Sequence, residues 1–119
     1  MSRLTKSFGY AWKGIRSVFS TEQNMKIHVG VAVLAVGFGF VLQISSVEWI
    51  AVIICIGLVF SAEMINTALE ILVDKVSPQK DPVAGKIKDI SAGAVLIAAI
   101  ISVLVGVLIF LPKLMNIVS

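Results

Sequence analysis

The chain has 119 residues, 58% hydrophobic and 14% charged, with a mean hydropathy of +1.01 and a formal net charge of +3. A soluble domain carries about 25% charged residues, so this shortfall excludes an ordinary water-soluble enzyme and points to a membrane. The basic excess then suits anionic lipid head groups and gives no sign of nucleic-acid binding.

The first element, residues 1–20, reads as an amphipathic helix lying in the membrane interface. Phe8, Tyr10, Trp12 and Phe19 alternate there with Arg3, Lys6, Lys13 and Arg16. Rings toward acyl chains and cations toward phosphates are what such a segment requires. Gly9 and Gly14 weaken it as a helix. Its residues fit a simple anchor and a ligand-contacting helix equally. Four cations without a continuous apolar stretch also argue against a cleavable signal peptide.

A first spanning helix is expected over 22–44. No Asp, Glu, Lys or Arg lies between Lys26 and Glu48, and about 20 apolar residues cross a hydrocarbon core. Ser20 or Thr21 is expected to cap it, leaving Glu22 in its first turn, where the helix dipole favours an anion. His28 reads most simply as an interfacial histidine satisfied by backbone or water.

The second span, 47–75, is longer than the core requires. From Val47 to Asp74 a helix measures about 42 Å against a core of roughly 30 Å, so its acidic end emerges on one side. Cys55, the only cysteine, falls mid-membrane and reads as a small buried apolar residue, with no disulfide framework possible. Ser77-Pro78 closes the helix, because the residue before proline leaves the α region. Asp81-Pro82 opens the third span, 82–111, as N-cap and first helical residue. The architecture is therefore all-α and integral to the membrane: one domain, 1–119, of three transmembrane helices plus the surface helix.

Nine of the ten Lys and Arg residues lie before the first span or between the second and third. The positive-inside rule places the N-terminus and that second loop in the cytoplasm, and the C-terminus outside.

Chemistry concentrates near the cytoplasmic end of the second span. Glu63, Asn66, Glu70 and Asp74 are spaced +3, +4 and +4, within an arc of roughly 80°. Acids on an apolar spanning helix are costly and mark a functional site. Glu22 on the first span, and Lys86, Lys88 and Asp89 on the third, are expected to face this stripe. Carboxylates bind Mg²⁺ through oxygen beside substrate phosphates, and lysines balance the remaining phosphate charge. Glu63 lies deepest and is the expected general base. The pattern suits phosphoryl transfer from a cytoplasmic nucleotide to an alcohol held in the bilayer. Two other readings compete on spacing alone: a small transporter or ion pathway, and a structural role in which the acids pair with Lys86 and Lys88. A conduction path requires polar groups through the full thickness, whereas here the outer half carries only Gln43 and Glu48.

The run E-M-I-N-T-A-L-E-I-L-V-D, Glu63 to Asp74, resembles the signature of the prokaryotic diacylglycerol kinase and undecaprenol kinase family. G-Y-A-W-K-G-I-R at Gly9 to Arg16, Glu22, and K-I-K-D-I-S-A-G-A-V-L at Lys86 to Leu96 extend the likeness over nearly the whole chain. The resemblance implies a multi-pass lipid kinase of the bacterial cytoplasmic membrane. It implies a homotrimer with active sites between subunits, using ATP and Mg²⁺ to phosphorylate a lipid alcohol. By position, Glu63 corresponds to the catalytic base, and Glu22 and Glu70 to the metal carboxylates. Tyr10, Glu22, Asn66, Glu70, Asp74, Lys86, Lys88 and Asp89 correspond to the ATP site and its supports, with Arg3 and Glu63 toward the lipid. No G-x-x-x-x-G-K-[ST] loop is present, so nucleotide binding falls to side chains on helices. T-E-Q-N-M-K-I-H at Thr21 to His28 is similar to the branch that favours undecaprenol, with diacylglycerol the alternative substrate.

Overall fold

A computed structural model of the protein describes residues 2–119 as four helices: α1 (Arg3–Thr21), α2 (Gln23–Val41), α3 (Ser46–Val76) and α4 (Pro82–Val118). The last three are long and apolar enough to cross a membrane. Their outward side chains, such as Val31, Phe38, Ile53, Ile54, Val103 and Leu108, are exposed apolar groups suited to hydrocarbon rather than water.

α1 begins at Ser2, whose hydroxyl accepts from the Thr5 N–H at 3.2 Å. It ends one residue before α2, and Glu22 alone forms the corner in an extended conformation (φ −86°, ψ 120°). This differs from the expected start of the first span. Ser20 and Thr21 do not cap α2; their hydroxyls bond back to the Arg16 and Ser17 carbonyls, completing α1 instead. Glu22 is itself the N-cap of α2, with no side-chain cap bond. The corner is pinned by fully buried Met25 and by an edge-to-face contact of Phe19 with Phe60 on α3, ring centroids 5.2 Å apart.

α2 turns into α3 at the opposite membrane face through a Schellman arrangement. The Ile44 N–H reaches the Gly39 carbonyl at 3.1 Å, and the Gln43 N–H reaches Phe40 at 3.3 Å. Gln43 occupies the left-handed position, φ 53°, usually given to glycine. Gly39 is required by close approach: a Cβ there would lie 2.7 Å from the Trp49 ring. α3 then starts with a reciprocal capping box between Ser45 and Glu48. The left-handed conformation costs a residue with a Cβ about 1–2 kcal/mol, partly offset by glycine's greater freedom when unfolded. Gln43→Gly is therefore expected to stabilise the protein by about 0.5–1 kcal/mol. Thermal unfolding of the detergent-solubilised protein checks this; an unchanged or lower midpoint would contradict it.

α3 and α4 form an antiparallel hairpin with the most extensive interface in the molecule. Asp81 caps α4 by accepting from the Ala84 N–H at 3.0 Å, with Pro82 in the first turn. α4 does not stop at 111 as expected but continues through Pro112 to Val118. Spanning helices tolerate a proline whose freed carbonyl is re-satisfied locally. The extension also carries Lys113 to Glu48, 3.2 Å away, tying the outer ends of α3 and α4. Near that end Ile44, Val52 and Ile109 form the apolar core.

Candidate active site

The stripe on α3 is graded from interior to solvent. Glu63 is 2% exposed, Asn66 and Thr67 are also buried, Glu70 is half-buried and Asp74 is exposed. Asp74 lies about 16 Å further along the helix than Glu63, near the end of α3.

α4 supplies two partners. Ser91 Oγ donates to Asn66 Oδ1 at 2.7 Å, and Asn66 Nδ2 donates to Glu70 Oε1 at 3.1 Å. One amide thus links both helices to a carboxylate, with each of its ends used as its chemistry requires. One turn toward the α3–α4 loop, Lys88 Nζ pairs with Asp74 Oδ1. From α2, His28 Nε2 lies 3.6 Å from Glu63 Oε2. Three helices therefore meet around the stripe, and the histidine expected to be a bystander touches its deepest acid.

Other expected members lie elsewhere in the chain. Lys86 and Asp89 do not face the stripe as expected. Helical phase explains this: Ala84, Lys88 and Ser91 share the packed face of α4, while Lys86 and Asp89 project from its far side and are exposed. Glu22 is half-buried at the α1–α2 corner, with Thr21 Oγ1 3.4 Å from its carboxylate. Tyr10 and Arg3 stand on α1, with Tyr10 69% exposed.

Sequence spacing alone does not single out Ser91 or Thr67, because neither carries charge. Extending the stripe would find Thr67, four residues beyond Glu63. Its Oγ1 is buried and, among the described residues, has no hydrogen-bond partner. Ser91 follows from the same arithmetic on α4, one turn beyond Lys88.

Three spaces lie at or near the stripe; one of about 440 Å³, beside Asn66 and Ser91, is lined mostly by apolar side chains. A cleft of about 620 Å³ opens at the α3–α4 turn, lined by Asp74, Ser77, Gln79, Lys80, Asp81 and Lys88. An apolar groove of about 480 Å³ runs between α2 and the hairpin, from His28 past Val31, Phe38, Val59 and Ser102 to Leu114. The cleft thus meets the stripe at Asp74, and the apolar groove approaches its Glu63 end through His28.

Among the described residues no three His, Cys, Asp or Glu side chains converge as a closed metal site. The donor chemistry nonetheless fits Mg²⁺, which takes one or two carboxylates and completes its shell with phosphate oxygens and water. Glu70, which Asn66 orients, could serve as one such oxygen donor, and Glu22 at the α1–α2 corner could serve as another.

Comparison with known proteins finds relatives over most of the chain. The sequence profile of the prokaryotic diacylglycerol kinases matches residues 9–110. The chain is 41% identical to the undecaprenol kinase of Bacillus subtilis (strain 168) over 114 residues, covering 96% of this chain and 93% of that protein. It is 42% identical to a diacylglycerol kinase of Synechocystis sp., covering 95% of this chain and 65% of the relative. With the diacylglycerol kinase of Escherichia coli (strain K12) it shares 35% identity, covering 87% and 84%.

Proposed function

The chain belongs to the prokaryotic diacylglycerol kinase family and is a bacterial membrane lipid kinase, and from that membership we propose that it phosphorylates undecaprenol with MgATP at the cytoplasmic interface. The observation that carries the reading is buried Glu63, 3.6 Å from His28, which lines the head of the apolar groove.

The lipid enters along the groove and presents its hydroxyl to Glu63. As the hydroxyl oxygen bonds to the γ-phosphorus, its proton passes to the Glu63 carboxylate. The bond from the γ-phosphorus to the bridging oxygen breaks, and ADP leaves with that electron pair. ATP lies toward the polar cleft, near the Asp74–Lys88 pair. Glu70, kept aimed by Asn66, and Glu22 would hold Mg²⁺, which would supply neutralisation of the charge developing on the phosphates.

Tyr10, Arg3, Lys86 and Asp89 serve the active site of a neighbouring copy in a homotrimer. Their exposure on α1 and the outer face of α4 supports this reading. The basic N-terminal segment and the α3–α4 loop lie in the cytoplasm and the C-terminus outside, by the charge asymmetry.

Undecaprenol and diacylglycerol both present a primary hydroxyl, so the acid stripe itself does not separate them. Discrimination falls to the groove, where an isoprenoid chain and two acyl chains differ in bulk. In mixed micelles with radiolabelled ATP and the two lipids at equal mole fraction, undecaprenol is expected to win in kcat/KM by at least about tenfold. A reversed ratio would assign diacylglycerol as substrate; label in neither lipid would overturn the reaction.

A further inference from the structure

We propose that His28 is a positioning residue for the reaction, holding the Glu63 carboxylate in the orientation that receives the lipid proton. This rests on the reading of Glu63 as the base.

The geometry supports it from both sides of the ring. Nε2 of His28 lies 3.6 Å from Glu63 Oε2, and the same residue lines the head of the apolar groove. The ring thus borders both the lipid's path and the acid. Among the described residues, the other acid–base pairs are Lys88 with Asp74 and Lys113 with Glu48, leaving His28 as the basic neighbour of Glu63. Its side chain is 19% exposed and that of Glu63 is 3% exposed, so little water competes for the carboxylate. A separation of 3.6 Å is longer than a hydrogen bond. Catalytic contacts of this kind are often long without substrate and tighten in the reacting complex. A buried carboxylate left with one basic neighbour takes its orientation from that neighbour, and misplacement of a catalytic group by about 1 Å costs up to about 10²-fold in rate.

Two measurements test this. His28→Leu keeps the groove apolar and removes Nε2. It is expected to lower kcat by at least about tenfold while leaving KM for ATP and for lipid within about twofold. His28→Gln, which retains a side-chain donor, is expected to recover part of kcat. An unchanged kcat, or a loss confined to KM, would overturn the proposal. The second measurement needs no turnover and so stands apart from the kinase reading. The chain has a single histidine, so its imidazole nitrogen signals in labelled protein are unambiguous. They are expected to shift between the unsubstituted protein and Glu63→Gln. Coincident signals would overturn the contact even if His28→Leu fails to fold.

Discussion

Glu63→Gln is expected to lower turnover by at least about 10²-fold while leaving ATP affinity nearly unchanged. Glutamine keeps the shape and most of the packing of this buried position, so the helix hairpin should persist. What it lacks is a site for the proton leaving the lipid hydroxyl. Because that proton moves only as the phosphoryl group transfers, the loss belongs to kcat and kcat/KM together, not to ground-state binding. Steady-state kinetics with varied ATP and lipid, beside direct nucleotide binding, separates the two. Near-normal turnover would remove Glu63 from the role of base and leave the family membership standing.

The second large effect is expected at Asn66. Asn66→Leu removes the amide that joins Ser91 on α4 to Glu70 on α3. The Ser91 hydroxyl would then be buried without that acceptor, at a cost of about 1–3 kcal/mol in stability. Glu70 would lose the donor that orients it, so the apparent affinity for MgATP should fall by about tenfold or more. Glu63, on the neighbouring turn, keeps its His28 contact, so the two substitutions should differ in kind: kcat for Glu63, nucleotide KM for Asn66. Ser91→Ala removes the same interhelical bond from its other end and leaves Asn66 Oδ1 unpaired. Its effect and that of Asn66→Leu should therefore not add, and a double-mutant cycle measures the coupling. Fully additive losses would show that the Asn66–Ser91 bond does not hold Glu70 in place.

Much of this molecule is determined by local sequence. Charge-free stretches of membrane length specify α2 and α4, and α3 is apolar over most of its length; unpaired backbone groups in hydrocarbon force each segment to satisfy its hydrogen bonds as a helix. Asp81-Pro82 and Ser77-Pro78 mark helix ends through fixed proline geometry and a side-chain cap, both properties of adjacent residues. The acid stripe is equally local: one helical period puts Glu63, Asn66, Glu70 and Asp74 on one side of α3.

Other features depend on how the helices meet. Whether Lys86 or Lys88 faces the stripe depends on the rotation of α4 about its axis, which is set by packing across the hairpin and not by proximity in the chain. The same rotation brings uncharged Ser91 to Asn66. His28 is 35 positions from Glu63, and the two meet only because the Schellman turn at Gln43 returns α3 alongside α2. The end of α4 likewise follows from a distant partner, since Lys113 reaches Glu48 only if the helix continues past Pro112. Periodicity assigns a residue to a face of its own helix. Which face meets which neighbour is decided by side-chain interlocking between helices, where the small energies of many contacts add up only in the assembled structure.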